Sequence, residues 1–330
     1  MIRYLFLVLF LVISPLGAQE RLLLVSHKAA SSVDFYTLDG KHLASIPVGK
    51  HPHEMVLSPD GRYAYTTDNG TMAIEVVGEG GNTVSIVDLR MRKKVGEINL
   101  GKYHRPHGID VDREGKRLYV TTENPDQLLV IDPAARRVLK TYETKGQTSH
   151  IVKLGRDGKW AYVCNSRSAS VSAVNLLSGE VKVIPVGGRP EGSALSTDGK
   201  ELYVANREGN SISVIDTSRK ERIADIKTGQ EPVRLAITPD DRTLVYAMLE
   251  AQKIGFADAR SRRVIAEIPI PGKLVSLNLS PDGKLAFASA QWDDTVYVVS
   301  VPERKIVRAL KTLPGGGPDP ALEIPGGTHE

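Results

Sequence analysis

Apolar and small polar residues alternate along short segments of this chain, and the pattern returns about every forty residues. Residues 201–242 form the clearest unit, with alternating segments at 202–205, 211–215, 222–226 and 235–238. A period of two residues is typical of β-strands that bury one face or both. Each unit is therefore predicted to supply four short antiparallel strands.

Turn signals divide the chain into these units. They recur at spacings of 54, 43, 41, 42 and 42 residues, at Pro59-Asp60-Gly61, Arg113-Glu114-Gly115, Arg156-Asp157-Gly158, Thr197-Asp198-Gly199, Pro239-Asp240-Asp241 and Pro281-Asp282-Gly283. Pro presets φ, Asp bonds its own backbone and Gly accepts a positive φ, so each signal joins two strands. Seven four-stranded units predict an all-β, seven-bladed β-propeller.

The two ends of the repeat predict how the ring closes. Residues 22–25 read as a second strand, so the first blade lacks its innermost strand, whereas residues 315–324 repeat the start of a unit and then stop. We expect this C-terminal strand to complete the N-terminal blade and to remove two open sheet edges. Pro320 should weaken the pairing locally, because it lacks an N–H group.

Residues 1–18 have the pattern of a secretory signal peptide. Arg3 precedes an apolar run, and Ala18 follows Pro15 and Gly17 as a small residue for cleavage. We therefore predict a single propeller domain over 19–330 in an exported protein, periplasmic in a Gram-negative host and otherwise secreted or at the cell surface. Cys164 is the one cysteine, so no internal disulfide forms. The net charge of +4 says little about partners.

The repeats resemble those of YVTN-type seven-bladed propellers. The likeness is carried by Leu202-Tyr203-Val204-Ala205-Asn206, Leu118-Tyr119-Val120-Thr121-Thr122 and Ser280-Pro281-Asp282-Gly283-Lys284. Such repeats occur in surface-layer and periplasmic proteins and in propellers associated with PQQ-dependent catabolism. More distant relatives are the lactonase family, virginiamycin B lyase and the haem-binding propeller of nitrite reductases. The resemblance implies the fold, and it leaves the chemistry open.

Aligning the seven units without gaps isolates one register at the start of each innermost strand. It is occupied by His53, His107, His150, Glu191, Val233, Val275 and Asp319. The four polar members, His53 to Glu191, come from consecutive blades and should meet at one mouth of the central channel. Imidazoles with a carboxylate suit zinc, copper or iron, so His53, His107, His150 and Glu191 are the predicted metal ligands. The competing interpretation is that these histidines only bond neighbouring loops.

The same mouth also suits an organic ligand or a haem-type cofactor. The loops and strands that meet there bring further polar groups, and we predict ligand contacts from Arg105, Arg189, Arg234, Asn165, Asn206 and Trp292. An alternative is lactonase- or lyase-type catalysis, in which His107 or His150 acts as general base and Glu191 and Arg189 assist. In the binding interpretation the partner is a small molecule or a periplasmic protein.

One loop breaks the spacing of the repeat. Residues 68–82 exceed their counterparts by about twelve residues and fall on the histidine-bearing face. The apolar stretch 72–77 predicts an extra hairpin, a cover over the channel or a contact with a partner, and the competing interpretation is an ornamental hairpin on its own blade. The opposite face is basic but also carries acids, which favours a solvated surface. We expect no nucleic-acid partner, no transmembrane segment and a monomer.

Overall fold

The computed structural model describes residues 21–325, so the predicted signal peptide lies outside the described residues. These residues form seven four-stranded antiparallel sheets around a central channel. The protein is a seven-bladed β-propeller, as the repeat predicts. Two short 3-10 helices, Ser166–Ser168 and Gln291–Asp293, lie between strands. In the described part of the chain, no helix has the length and apolar character needed to cross a membrane.

Each blade runs from an inner strand at the channel to an outer strand at the rim. Blades 2 to 4 consist of β4 (Pro52–Leu57), β5 (Tyr63–Asp68), β6 (Thr83–Asp88) and β7 (Lys93–Asn99); β8 (His104–Val111), β9 (Leu118–Asn124), β10 (Asp126–Asp132) and β11 (Arg137–Glu143); and β12 (Ser149–Leu154), β13 (Trp160–Asn165), β14 (Ser170–Asn175) and β15 (Val181–Pro185). Blades 5 to 7 consist of β16 (Pro190–Leu195), β17 (Glu201–Asn206), β18 (Ser211–Asp216) and β19 (Glu221–Lys227); β20 (Pro232–Ile237), β21 (Thr243–Met248), β22 (Lys253–Asp258) and β23 (Arg263–Pro269); and β24 (Leu274–Leu279), β25 (Leu285–Ala290), β26 (Thr295–Ser300) and β27 (Lys305–Lys311).

Blade 1 closes the ring as predicted. It combines strands from both ends of the described chain, in the order β28 (Pro318–Pro325), β1 (Arg21–His27), β2 (Ser32–Thr37) and β3 (His42–Pro47). β28 pairs antiparallel with β1, with Leu24 opposite Leu322. Arg21 and Glu323 form an ion pair across this seam. The register shifts between Val25 and His27, where Pro320 enters the strand.

The apolar core lies between the blades. Seven clusters of buried residues each join two neighbouring blades; Val84, Ile98 and Leu129, for example, are fully buried between blades 2 and 3. Middle strands are covered by a blade on each face, so both sets of alternating side chains are buried, whereas the outer strands expose one set. No blade therefore buries its apolar surface alone, which explains why the fold needs the closed ring.

Candidate functional site

The backbone conformation at the start of each inner strand positions the side chains of the candidate site. Every inner strand has a register shift at this point; in blade 4, for example, Ser149 pairs with Asn165 but the next pair is Val152 with Val163. Such a bulge re-aims a side chain. In most blades the residue two positions before the aligned register also has a positive φ, 55° at Arg105 and 56° at Thr148. The aligned side chains thereby turn toward the channel mouth.

Three of these side chains form a buried histidine cluster. His53, His107 and His150 are 3%, 3% and 2% exposed. The rings of His53 and His107 meet edge to face with centroids 4.5 Å apart, and those of His107 and His150 overlap with centroids 3.7 Å apart. Burial lowers the pKa of all three imidazoles well below the ordinary value, so they are neutral at pH 7.

The hydrogen bonds at the outer nitrogens fix the tautomers of this cluster. His53 Nε2 donates to the carbonyl oxygen of Thr71 at 2.8 Å, and His150 Nδ1 donates to the carbonyl oxygen of Glu191 at 2.9 Å. His107 Nδ1 lies 2.8 Å from Glu123 Oε1 and donates to it when that carboxylate is charged. Each neutral ring then carries its lone pair on the other nitrogen. His53 Nδ1 and His107 Nε2 face each other in this state, 3.4 Å apart.

Glu123 is the carboxylate that completes the cluster. One ligand atom each from His107, Glu123 and His150 lies within 4.8 Å of the others. Burial raises the pKa of Glu123 to about 7, although the Arg105 guanidinium, with Nε 2.9 Å from Glu123 Oε2, acts in the opposite direction. Near neutral pH this group therefore exchanges a proton beside His107.

Glu191, predicted as a metal ligand, has two arginine partners in the structure. Its carboxylate Oε1 lies 2.6 Å from Arg189 Nε and 3.4 Å from Arg207 Nη1. Two guanidinium groups thus engage this carboxylate, while its backbone carbonyl accepts the bond from His150. The side chains that contact the His107 ring are those of His53, His150 and Glu123. The Glu123 carboxylate contacts His107 directly, with no arginine between the two groups.

A cavity of about 310 Å³ adjoins the histidines at the channel mouth. Its charged lining residues are of both signs, namely Lys28, Arg189, Arg207, Arg234, Glu75, Glu191 and Asp319, and its larger apolar side chains are Met72, Ile74, Val233, Leu249, Val275 and Trp292. Arg234 Nη2 lies 2.8 Å from Glu54 Oε1 on the far side of the channel. This ion pair between blades 6 and 2 lies across the channel, close to the histidine cluster.

The predicted ligand contacts divide into two groups. Arg189, Arg234 and Trp292 line the cavity, with Trp292 63% exposed. Asn165 and Asn206 do not line it. The Nδ2 group of Asn206 donates to Ser211 Oγ and Ser213 Oγ, at 3.0 and 2.9 Å, and Asn165 makes the equivalent bonds in blade 4. These amides thus join neighbouring strands within a blade.

The inserted segment 69–82 covers the mouth. A bond from Gly81 N to Asn69 O, at 2.6 Å, closes its neck. Residues 69–82 contain no strand, so the predicted hairpin was wrong. The segment does cover the channel mouth, since the cavity is lined by Met72, Ala73, Ile74 and Glu75. Arg105 does not line the cavity and instead binds the backbone of this segment.

A second register of the repeat identifies residues that the sequence analysis did not assign. The position that follows the residue aligned with Asn206 is occupied by Lys28, Asn69, Glu123, Ser166, Arg207, Leu249 and Gln291. Four of these, Lys28, Arg207, Leu249 and Gln291, line the cavity. Glu123 is the sole carboxylate in this register. The sequence places this loop on the histidine-bearing face, but it does not show that Glu123 reaches His107.

Comparison with known proteins gives partial matches, and no family model matches the chain. The chain is 29% identical over 168 residues to the seven-bladed β-propeller protein Rv1057 of Mycobacterium tuberculosis, covering 49% of this chain and 39% of the relative. It is 31% identical over 99 residues to protein NirF of Pseudomonas aeruginosa, covering 29% and 25%. A match to antigen Lp49 of Leptospira interrogans has 27% identity over 135 residues, covering 38% and 29%. The chain thus matches less than half the length of each relative.

Solved structures share the architecture. A functionally unknown protein from Desulfotomaculum acetoxidans superposes with a TM-score of 0.73 at 15% identity, covering 90% of this chain and 97% of that one. Hydrazine synthase of Kuenenia stuttgartiensis gives 0.67 at 18%, covering 79% and 86%. The dihydro-heme d1 dehydrogenase NirN, in complex with DHE, gives 0.66 at 18%, covering 89% and 64%. At these identities the likeness shows the fold alone, and the chain is a seven-bladed β-propeller.

Proposed function

We propose that this protein binds a transition-metal ion, of the zinc, copper or iron class, at the histidine cluster in the channel mouth. His53 Nδ1 and His107 Nε2 supply two nitrogen ligands, and His150 Nε2 is the third donor. One observation carries the proposal. His53 Nδ1 and His107 Nε2 lie 3.4 Å apart, and the other nitrogen of each ring has an oxygen acceptor for its N–H group.

The spacing of these nitrogens fits a shared metal ion. Two ligands at about 2.0–2.1 Å from a tetrahedral metal lie about 3.3–3.4 Å apart. The outer hydrogen bonds of the rings also fit, because metal-binding histidines donate their second N–H to a carboxylate or a backbone carbonyl. His107 donates to Glu123, and His53 and His150 donate to carbonyl oxygens. Neutral imidazoles need not lose a proton before they bind.

The volume of the cavity limits the size of any ligand that binds together with the metal ion. At about 310 Å³ it is at the small end of ligand pockets, which favours an ion with a small co-ligand while segment 69–82 is closed. A haem-type ligand requires that segment to move. The solved NirN complex, whose name refers to heme d1, has the same fold. We therefore rank a haem-type ligand second.

The lactonase- or lyase-type alternative uses the same atoms differently. His107 Nε2 would act as the base, with Glu123 orienting the ring. Arg189 is poorly suited to stabilise a developing oxyanion, because it already lies within 2.6–3.4 Å of carboxylates of Glu75, Glu191 and Glu208. Metal and substrate would compete for the same nitrogen, and binding is the function better supported.

Metal titration tests the proposal. Metal-stripped protein is titrated with Zn²⁺, Cu²⁺ and Fe²⁺ by calorimetry, and His107→Ala is compared with His51→Ala. His51 is a matched control, since it lies near the same rim but its ring bonds the carbonyl oxygen of Lys28. We expect one equivalent to bind in the wild type and in His51→Ala and none in His107→Ala. Unchanged binding by His107→Ala would exclude this site.

Export remains part of the proposal. It rests on residues 1–18, and intact-mass analysis of protein recovered from the cell envelope tests it. A chain that begins near residue 19 supports cleavage, whereas a chain that retains residues 1–18 in the cytoplasm contradicts it.

A further inference from the structure

Segment 69–82 contacts the histidine cluster as well as covering the cavity. The direct contact is the bond from His53 Nε2 to the carbonyl oxygen of Thr71, at 2.8 Å. Thr71 is itself held in place, since its backbone N–H and its hydroxyl both donate to Asn69 Oδ1, at 3.2 and 2.6 Å. The nitrogen of His53 that carries the proton is thus set by the backbone of this segment.

A second connection reaches His107 through two side chains. His107 Nδ1 donates to Glu123 Oε1, and Glu123 Oε2 lies 2.9 Å from Arg105 Nε. The other end of the Arg105 guanidinium donates to the carbonyl oxygens of Val76, at 2.8 Å, and Ile74, at 3.1 Å. Arg105 is only 8% exposed. One buried guanidinium therefore binds the carboxylate that orients His107 and also the backbone of segment 69–82.

A third connection reaches His150 through Glu191 of β16. His150 Nδ1 donates to the carbonyl oxygen of Glu191, and the Glu191 carboxylate lies 2.6 Å from Arg189 Nε. Arg189 Nη2 lies 2.6 Å from Glu75 Oε1 in segment 69–82. All three histidines are thus connected to one inserted segment through the nitrogen that does not face the cluster.

We propose that segment 69–82 is the outer shell of the metal site and that Arg105 is the positioning residue that couples the two. The inference rests on the proposed function, since it assigns the groups that orient the metal-binding histidines. Outer partners of this kind change metal affinity by about 10- to 100-fold. Because coupling between two equilibria is reciprocal, metal binding stabilises the closed segment by the same factor by which the closed segment strengthens metal binding.

Hydrogen exchange with and without Zn²⁺ measures this coupling. The variant is Arg105→Gln, which keeps a polar side chain but loses the forked donor. The control is Lys273→Gln, because Lys273 occupies the aligned position in blade 7 and pairs with exposed Glu250. In the wild type and in Lys273→Gln, Zn²⁺ should slow exchange across 69–82 by about 10-fold or more. In Arg105→Gln, Zn²⁺ should bind about 10- to 100-fold more weakly and protect 69–82 correspondingly less.

The outcomes separate this inference from the proposed function. Stoichiometric Zn²⁺ binding that leaves exchange across 69–82 unchanged, or an Arg105→Gln affinity equal to the wild type, overturns the coupling while the metal site stands. No Zn²⁺ binding by the wild type overturns both. A general structural defect in Arg105→Gln would lower the melting temperature of the metal-free protein below that of Lys273→Gln. Glu75→Gln then tests the coupling through the third connection, because Glu75 is largely exposed and its loss removes only the link to Arg189. Zn²⁺ should protect 69–82 less in this variant than in the wild type, and equal protection overturns the coupling.

Discussion

Glu123→Gln should abolish the pH dependence of metal affinity around neutrality. In the wild type the pKa of Glu123 is raised to about 7 by burial. Below that pH the protonated carboxyl donates to His107 Nδ1, which moves the ring proton to Nε2, between His107 and His53. Metal must then displace one proton.

The size of the effect follows from that pKa. With one proton released, affinity falls about tenfold per pH unit below pH 7 and levels off above it, so the expected loss between pH 8 and pH 6 is about tenfold. The pKa values of the three histidines are lowered well below their ordinary range, so they contribute little over this interval. Glutamine keeps an oxygen that accepts the His107 Nδ1 bond but has no titrating proton.

Competition against a chelating dye, calibrated at each pH from 6 to 8, measures this dependence. Glu123→Gln should bind Zn²⁺ about 10- to 100-fold more weakly at pH 8, with affinity that is flat from pH 8 to 6. Glu250→Gln, in the equivalent loop of blade 6, is the control and should retain the wild-type slope. If the Zn²⁺ affinity of Glu123→Gln depends on pH as steeply as that of the wild type, the proton that competes with the metal belongs to another group and not to Glu123.

Three further predictions concern the scaffold. Glu54→Gln leaves Arg234 without its partner across the channel and should lower the free energy of unfolding in urea by about 3–5 kcal/mol. Adding Arg234→Met should recover more than half of that loss, and a failure to recover would mean that the pair is not coupled. A chain ended at Gly316 lacks β28 and exposes the edge of β1, so size-exclusion chromatography should show aggregates in place of a monomer peak. Cys164 is 1% exposed and burial raises its pKa to about 12, so a thiol reagent at pH 8 should react only after unfolding; rapid reaction of the folded protein would contradict its placement in the core.

The fold could be predicted from the sequence because each unit repeats the same constraints. The ring closure followed from the strand missing at residue 21 and the extra strand near Pro318. The positions of His53, His107 and His150 followed from alignment alone, because every inner strand has the same bulge at that register. Because the units repeat, the sequence alone indicated that three histidines distant along the chain lie together at the channel mouth.

The site was harder to predict where it depends on side-chain partners. Glu191 shares the register of the histidines, but Arg189 and Arg207 bind its carboxylate, and only the folded geometry shows that competition. The hydrogen-bond partners of Asn165 and Asn206 could have been predicted from the sequence. Each asparagine is followed by serines five and seven residues later, and those serines accept the bonds from its side chain. The path of segment 69–82 lies outside the repeat, so no other unit indicates where it goes.

X-ray absorption spectroscopy of the zinc-loaded protein shows directly whether the histidine cluster holds the metal. We expect one zinc per chain with a nitrogen and oxygen shell at about 2.0–2.1 Å and scattering from at least two imidazole rings. The imidazole signal and the stoichiometric zinc should both be lost in the double variant His53→Ala, His107→Ala. The proposed metal site is wrong if zinc keeps the same imidazole signal in the double variant. It is also wrong if the wild-type protein retains no stoichiometric metal.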